Sequence, residues 1–184
     1  MRLALLHLLL ALPMAAGAQA HSPAGQALAF TDAIALQRSK AQVLELALKA
    51  WTYTFGQEPG AAMLQVDSTN GRIEGSARVN FRSTALGARE ATLGVIAYRI
   101  SLEARNGQCL VRITQLEHTG NRNAPGGGIN MGTIYAGQRP PGPVRGISQG
   151  SVQRLHDDMR GQASEKIQGA MRAFAARLRL LAQP

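Results

Sequence analysis

The sequence is poor in cysteine, aromatic residues and acids. Its 184 residues include one cysteine, 4% aromatics and 11 Asp and Glu against 20 Lys and Arg. One cysteine excludes both an intrachain disulfide framework and a zinc site built from a cysteine cluster. The 45% hydrophobic content excludes wholesale disorder. The chain is long enough for one compact domain, and its formal charge of +9 indicates a basic surface.

The N-terminus has the pattern of a secretory signal sequence. Arg2 precedes an apolar run over residues 3–16, and Ala18-Gln19-Ala20 matches the small-x-small site that a signal peptidase cleaves. The run is too short to span a membrane, and no later stretch is long and apolar enough to do so. We therefore predict a signal peptide over residues 1–20 and a mature protein, without a transmembrane span, that is periplasmic or extracellular.

Two helices are expected in the mature chain. Ser39 and Gln42 fit a capping box at the start of the first, and Gly56 stands where a left-handed C-terminal cap would end it. The apolar positions of this helix recur at steps of three and four: Leu44, Leu48, Trp51 and Phe55. A second, longer amphipathic pattern begins at Val152 and continues to the C-terminus.

Period-two alternation predicts an antiparallel sheet. Apolar and polar residues alternate cleanly over residues 72–82, and the pattern repeats over 92–105 and 109–117. Asn70-Gly71 and Asn106-Gly107 are turn dipeptides that connect these strands. Two further strands are expected, within residues 27–36 and 62–67.

Residues 119–150 interrupt the alternation. They contain nine glycines, four prolines and no acid, which predicts a long loop or a disordered insertion with little apolar area. The expected order is therefore β-α-β-β-β-β-loop-α in a single α+β domain over residues 21–184. The economical arrangement is an antiparallel sheet of four to five strands with both helices on one face.

Several segments resemble a family of bacterial extracytoplasmic proteins, domain of unknown function 4468. The resemblance covers roughly residues 28–118 and is carried by Ser39-Lys40, Trp51, Phe55, residues 67–75, Tyr98-Arg99-Ile100 and Gly107. It implies a fold like that of the TATA-binding protein (TBP). The family has no established activity, so the resemblance implies no catalytic residue and no cofactor.

No motif makes a convincing catalytic or metal site. Residues 146–150 match G-x-S-x-G around Ser148, but the Pro-rich stretch before them is unlike the central strand that a nucleophile elbow requires. His156 is adjacent in sequence to two aspartates, so these side chains diverge around a helix, and we interpret them as solvated surface. Cys109 lacks a basic neighbour and is interpreted as a structural, half-buried residue.

One face of the sheet is expected to carry arginines. Six of them fall on three neighbouring strands or their ends: Arg72, Arg78, Arg82, Arg99, Arg105 and Arg112. Guanidinium groups bind carboxylate or phosphate in a bidentate manner, so this face is a candidate site for an anionic ligand. The alternative interpretation is a solvated face in a protein with 17 arginines and 3 lysines.

These patterns favour an exported, non-enzymatic domain with a binding or structural role in the bacterial envelope. Its partner on the arginine face would be an anionic glycan, a lipid headgroup or an acidic protein. Nucleic acid is not expected, because fold analogy is a weak basis for function and export removes the genome as a target. Two alternatives remain open: a small hydrolase that uses Ser148 with His156 or His118, and a homo-oligomeric scaffold.

Overall fold

The computed structural model describes residues 25–87, 90–124 and 127–183, so the predicted signal sequence lies outside the described residues. The helices and strands are β1 (Phe30–Ala35), α1 (Lys40–Thr52), β2 (Ala62–Asp67), β3 (Arg72–Phe81), β4 (Gly94–Arg105), β5 (Gln108–Gly120), β6 (Gly132–Thr133) and α2 (Gln149–Leu181). The sheet is antiparallel with strand order β1-β5-β4-β3-β2, and β6 pairs with β5 beyond the end of β1. The predicted α+β fold is confirmed, with β6 as an additional strand in the segment predicted to be a loop.

Alternation along the central strands separates a buried face from an open one. On β3 and β4, Ile73 and Ile100 are fully buried, whereas Arg78 and Arg99 are exposed. The buried residues of the sheet and of both helices form one core, in which the ring of Phe55 lies 5.2 Å from that of Phe174 on α2. Both helices therefore cover one face, as predicted, and we call the opposite surface the outer face.

A glycine on β3 allows α1 to approach the sheet closely. A Cβ atom at Gly75 would lie 2.2 Å from the Trp51 ring and 2.9 Å from the carbonyl oxygen of Ala62. Real Cβ atoms do not approach other atoms so closely, so the indole occupies the space that only glycine leaves open. This contact fixes the distance between α1 and the sheet.

The predicted capping box is present at the start of α1. The Ser39 hydroxyl accepts from the Gln42 N–H, and the Gln42 side chain accepts from the Ser39 N–H at 3.0 Å. The predicted glycine cap at the other end is wrong. The helix ends at Thr52 with Tyr53 as its C-cap, and Gly56 lies in the following single-turn 3-10 helix, Phe55–Gln57. In the described part of the chain, neither α1 nor α2 combines the length and the hydrophobicity needed to cross a bilayer.

A β-bulge interrupts β5. Ala97 pairs with Glu117 and Arg99 pairs with Thr114, so two residues of β5 lie opposite Tyr98. One of them, Gln115, has a φ of +55°. Such a bulge inserts one residue and shifts the side-chain alternation by one position. The bulge therefore lets Ile113 and Leu116, three positions apart, both enter the core.

The segment between β5 and α2 packs against the core, contrary to the prediction of little apolar area. Ile129, Met131 and Ile134 are almost fully buried. The Ile134 N–H donates to the Leu116 carbonyl at 2.9 Å, and the Leu28 N–H donates to the Ile134 carbonyl at 2.8 Å. The segment is a loop for most of its length, but its few apolar residues anchor it to the sheet edge.

Candidate functional site

The outer face contains a depression of about 540 Å³ above β3, β4 and β5. Its lining combines three guanidinium groups with one carboxylate, two hydroxyls and two amides. The lining residues are Leu64, Gln65, Arg72, Glu74, Arg99, Ser101, Arg112, Thr114 and Gln115. This volume lies within the range typical of small-ligand sites.

Strand register places two arginines on a diagonal of this depression. Arg99 on β4 pairs with Thr114 on β5, and the next outward-facing pair is Ser101 with Arg112. Guanidinium groups therefore occupy one diagonal of a four-residue block, and hydroxyl groups occupy the other. The two guanidinium groups and the Thr114 hydroxyl can donate hydrogen bonds to an oxyanion, whereas the Ser101 hydroxyl already donates to Glu74.

Charge pairing in the depression is uneven. The Arg72 Nε donates to Glu74 Oε1, and the Ser101 hydroxyl donates to the same oxygen at 2.9 Å. By contrast, neither the Arg99 nor the Arg112 guanidinium group makes a hydrogen bond or ion pair with another described residue. Three guanidinium groups against one carboxylate leave the depression positively charged.

The pKa of the neighbouring Glu103 is lowered mainly by Arg105, which lies outside the depression. The largest contribution to this pKa shift is a hydrogen bond from Arg105 at 2.7 Å. Burial opposes the shift, whereas the charges of Arg105, Arg72 and Arg112 reinforce it. The same field would favour the ionised form of an acidic ligand at this end of the face.

The six predicted arginines do not form one continuous array. Three of them, Arg72, Arg99 and Arg112, line the depression. Arg105 pairs with Glu103 at the end of β4.

The other two arginines lie outside the depression. The side chain of Arg78 packs beside Gly60 in the turn before β2, where a Cβ atom would lie 3.0 Å from the Arg78 Nε. Arg82 follows the end of β3, where it is exposed and its carbonyl accepts from the Gln162 side chain at 3.2 Å. The outer face thus has a local cationic centre with solvated arginines around it.

The residues of the hydrolase alternative have separate environments. The Ser148 hydroxyl bonds to that of Ser151 at 3.1 Å, at the exposed start of α2. His156 lies eight residues further along α2, roughly 12 Å along the helix axis, and its Nε2 accepts from the Tyr135 N–H at 3.0 Å. His118 accepts from the Met131 N–H instead. The sequence around Ser148 matches a nucleophile elbow, but an elbow needs a strand that leads into the helix, and residues 136–147 form no strand.

Both histidines are buried, which corrects the interpretation of His156 as solvated surface. Burial lowers the pKa of His118 to about 4. Burial is also the main reason why the pKa of His156 is lowered, and the charges of Arg160 and Arg139 act in the same direction against that of Asp157. The helical period turns His156 into the core although its sequence neighbours are acidic. Among the described residues no cluster of His, Cys, Asp and Glu is arranged to hold a metal ion.

Asp158 has a structural role. Its carboxylate accepts from the Ser83 hydroxyl at 2.8 Å, the Thr84 N–H at 2.7 Å and the Gln162 side chain at 2.9 Å. Although burial opposes the shift, these hydrogen bonds lower the pKa of Asp158. The residue ties the connection after β3 to α2.

The cysteine is more deeply buried than predicted. Cys109 is fully buried, and burial raises the pKa of its thiol to about 12. A thiol with so high a pKa is a poor nucleophile at neutral pH, which agrees with the structural interpretation.

Comparisons with known proteins show the fold of the chain. No family model and no curated protein matches it. A domain of unknown function 4468 (DUF4468) family protein from Bacteroides ovatus ATCC 8483 has a similar structure, with 16% identity over 85% of this chain and 91% of its own and a TM-score of 0.52. A TBP-like protein from Parabacteroides distasonis ATCC 8503 has 9% identity over 83% and 96%, with a TM-score of 0.51. These similarities establish a TBP-like fold and support the resemblance found in the sequence.

Proposed function

We propose that this TBP-like domain binds an anionic ligand through the depression on its outer face and does not act as an enzyme. The observation that carries the proposal is the diagonal pair Arg99 and Arg112: among the described residues neither guanidinium group makes a hydrogen bond or ion pair with a carboxylate, and Glu103 acts on Arg112 only through its charge. Exposed arginines that are not neutralised by the protein retain their full capacity for bidentate bonds to carboxylate or phosphate. Its partner would be an anionic glycan, a lipid headgroup or an acidic protein of the bacterial envelope.

The proposed envelope location rests on the signal-like pattern of residues 1–20. Expression in a Gram-negative host with fractionation should recover a protein that begins at His21 outside the cytoplasm. Mass spectrometry of the intact N-terminus would identify the cleavage site. Recovery of uncleaved protein in the cytoplasm would contradict export and, with it, the envelope partners.

Matched charge removals test binding at the depression. The double variant Arg99→Gln/Arg112→Gln removes the diagonal pair, and the control Arg78→Gln/Arg82→Gln removes the same charge outside the depression. Polygalacturonate, phosphatidylglycerol vesicles and poly-L-glutamate represent the three partner classes. At about 0.02 M NaCl the first variant should lose about tenfold in affinity for at least one probe, and about 0.3 M NaCl should weaken wild-type binding.

The control variant distinguishes binding at the depression from attraction by the overall positive charge of the protein. Arg78→Gln/Arg82→Gln should lose no more than about threefold, because exposed charges outside the site contribute only through screened long-range attraction. Equal losses for the two double variants with all three probes would refute the proposal. Thermal unfolding midpoints of both variants verify that they remain folded.

A homo-oligomeric scaffold is the second candidate, favoured by the edge strand β2. Met63, Leu64 and Val66 on this strand are 39–50% exposed. An apolar edge strand offers free backbone groups and apolar surface to a second copy of the chain. Sedimentation velocity at several protein concentrations should then show a dimer that Val66→Lys dissociates, whereas a monomer throughout would contradict this candidate.

A further inference from the structure

The carboxylate in the depression limits which anions fit it. Glu74 has a side-chain exposure of 28%, and its Oε1 accepts from both Arg72 and Ser101. Its second oxygen, Oε2, accepts no hydrogen bond from the described residues. An acceptor with free capacity therefore stands among the cationic groups.

Strand register fixes where this acceptor lies relative to the arginines. Arg112, Ser101 and Glu74 occupy one row across β5, β4 and β3. Adjacent strands are about 4.8 Å apart, so the row extends over roughly 10 Å. An oxyanion at the Arg99–Arg112 diagonal would leave the rest of its molecule close to Glu74.

The group that meets Glu74 must donate a hydrogen bond. A second oxyanion there would be repelled by the carboxylate, and an apolar group would leave the acceptor desolvated without a partner. An ammonium group is disfavoured because Arg72 already pairs with Glu74 and because Arg99 and Arg112 make the depression positive. A neutral hydroxyl satisfies the acceptor without adding charge.

We infer that the ligand is an anionic sugar unit, with one carboxylate or phosphate on Arg99 and Arg112 and neutral hydroxyl groups on Glu74. This inference rests on the proposed function and specifies its ligand. The two sources of such chemistry are a uronate and a sugar phosphate. Polar side chains at the rim, Gln65 and Gln115, suit further hydroxyl groups of the same ring.

Matched small molecules separate the sugar from the charge. D-glucuronate and cyclohexanecarboxylate share a six-membered ring and one carboxylate, but only the first has hydroxyl groups. Isothermal titration calorimetry at low salt should show that wild-type protein binds glucuronate about tenfold more tightly, because the acceptor is satisfied only by a hydroxyl donor. Glucose 6-phosphate, titrated in parallel, distinguishes the phosphate source from the uronate source.

The variant Glu74→Gln should move the two affinities in opposite directions. It removes a negative charge, so cyclohexanecarboxylate should bind about twofold more tightly. It also replaces the charged acceptor by a neutral amide, so the charge-assisted bond from a sugar hydroxyl is lost and the preference for glucuronate should fall below about twofold. No charge effect alone produces both changes.

The outcomes distinguish this inference from the proposed function. Equal affinities of wild-type protein for glucuronate and cyclohexanecarboxylate, both lost in Arg99→Gln/Arg112→Gln, would overturn the sugar inference and leave anion binding intact. Absence of binding for glucuronate and glucose 6-phosphate up to about 10 mM would also overturn it, since this limit corresponds to only about 3 kcal/mol. The proposed anion binding is tested separately, by the experiments with polygalacturonate, vesicles and poly-L-glutamate.

Discussion

Lowering the pH from 7 to 4 should destabilise the fold through His118, whose side chain is enclosed near the end of β5. Its Nδ1 accepts from the Met131 N–H at 3.4 Å, and its Nε2 has no hydrogen-bond partner within the described ranges. The ring is edge-on to that of Phe81, with 5.5 Å between the ring centroids. A protonated imidazole would bring a charge into this apolar site and lose its acceptor at Nδ1. Burial accordingly lowers the pKa of His118 to about 4.

The magnitude follows from proton linkage. In the unfolded chain the imidazole has a pKa of about 6.5, so the unfolded state binds the proton more tightly than the folded state. The stability associated with the neutral form is complete above pH 6.5 and is lost as the pH falls towards 4. The loss amounts to about 2 kcal/mol at pH 5 and about 3 kcal/mol at pH 4.

Urea unfolding of wild-type protein and His118→Asn at pH 7, 6 and 5 tests this value. The asparagine oxygen takes the place of Nδ1 but cannot titrate, so the stability of the variant should depend less on pH. At pH 7 the variant should be less stable than the wild-type protein, because the asparagine side chain is smaller than the imidazole it replaces. His156 is present in both proteins, and carboxylates titrate mainly below this range, so their contributions cancel in the comparison. Parallel pH dependences for the two proteins would refute the reasoning.

Three further substitutions have effects of known sign. Asp158→Ala should lower the free energy of unfolding by about 2 kcal/mol, because it leaves backbone and hydroxyl donors without their acceptor. A loss no larger than that of the exposed control Asp157→Ala would contradict this prediction. Gly75→Ala should lower the free energy of unfolding by about 2 kcal/mol, because a Cβ atom would lie 2.2 Å from the Trp51 ring. It should also alter the fluorescence of Trp51, the single tryptophan. Unchanged stability and fluorescence would show that α1 shifts freely. Gln115→Gly should raise the free energy of unfolding by about 1 kcal/mol, because it removes a side chain at a φ of +55°. The control Gln115→Ala keeps a Cβ atom and should give no gain in the free energy of unfolding.

Local patterns in the sequence predicted most of the fold. The capping box at Ser39 and the alternation along β3 depend on neighbours within a few residues, and both appear as expected. The bulge was missed because one inserted residue leaves only a faint signal, a three-residue step between the buried Ile113 and Leu116. The same holds for the segment before α2, where Ile129 and Met131 stand among glycines but reach the core through contacts that are distant in sequence.

The candidate site was only partly predictable because it depends on register between strands. The sequence identified the arginines of the outer face, but it could not tell that Arg99 and Arg112 form a diagonal with Ser101 and Thr114. One signal was available: Glu74 lies two positions from Arg72 on the same strand face, which is the spacing of a neutralising pair. His156 was misassigned from its acidic neighbours, although its spacing gave a signal: it lies four residues after Val152 and three before Met159, on the apolar face of α2.

The two edge strands of the sheet differ in how readily another strand could pair with them. Asp32 on β1 lies on the side of the helices, opposite the buried Val111, so a strand added at β1 would have to accommodate a charge on its apolar side. The helix side of β2 carries no charge, and this edge is interrupted only by a shift in register between Met63 and Gln65. Head-to-tail addition of β1 to β2 would build a ring or an open filament, whereas β2 against β2 would close after two copies. In the proposed oligomer, the aspartate would thus favour pairing through β2, which ends at two copies.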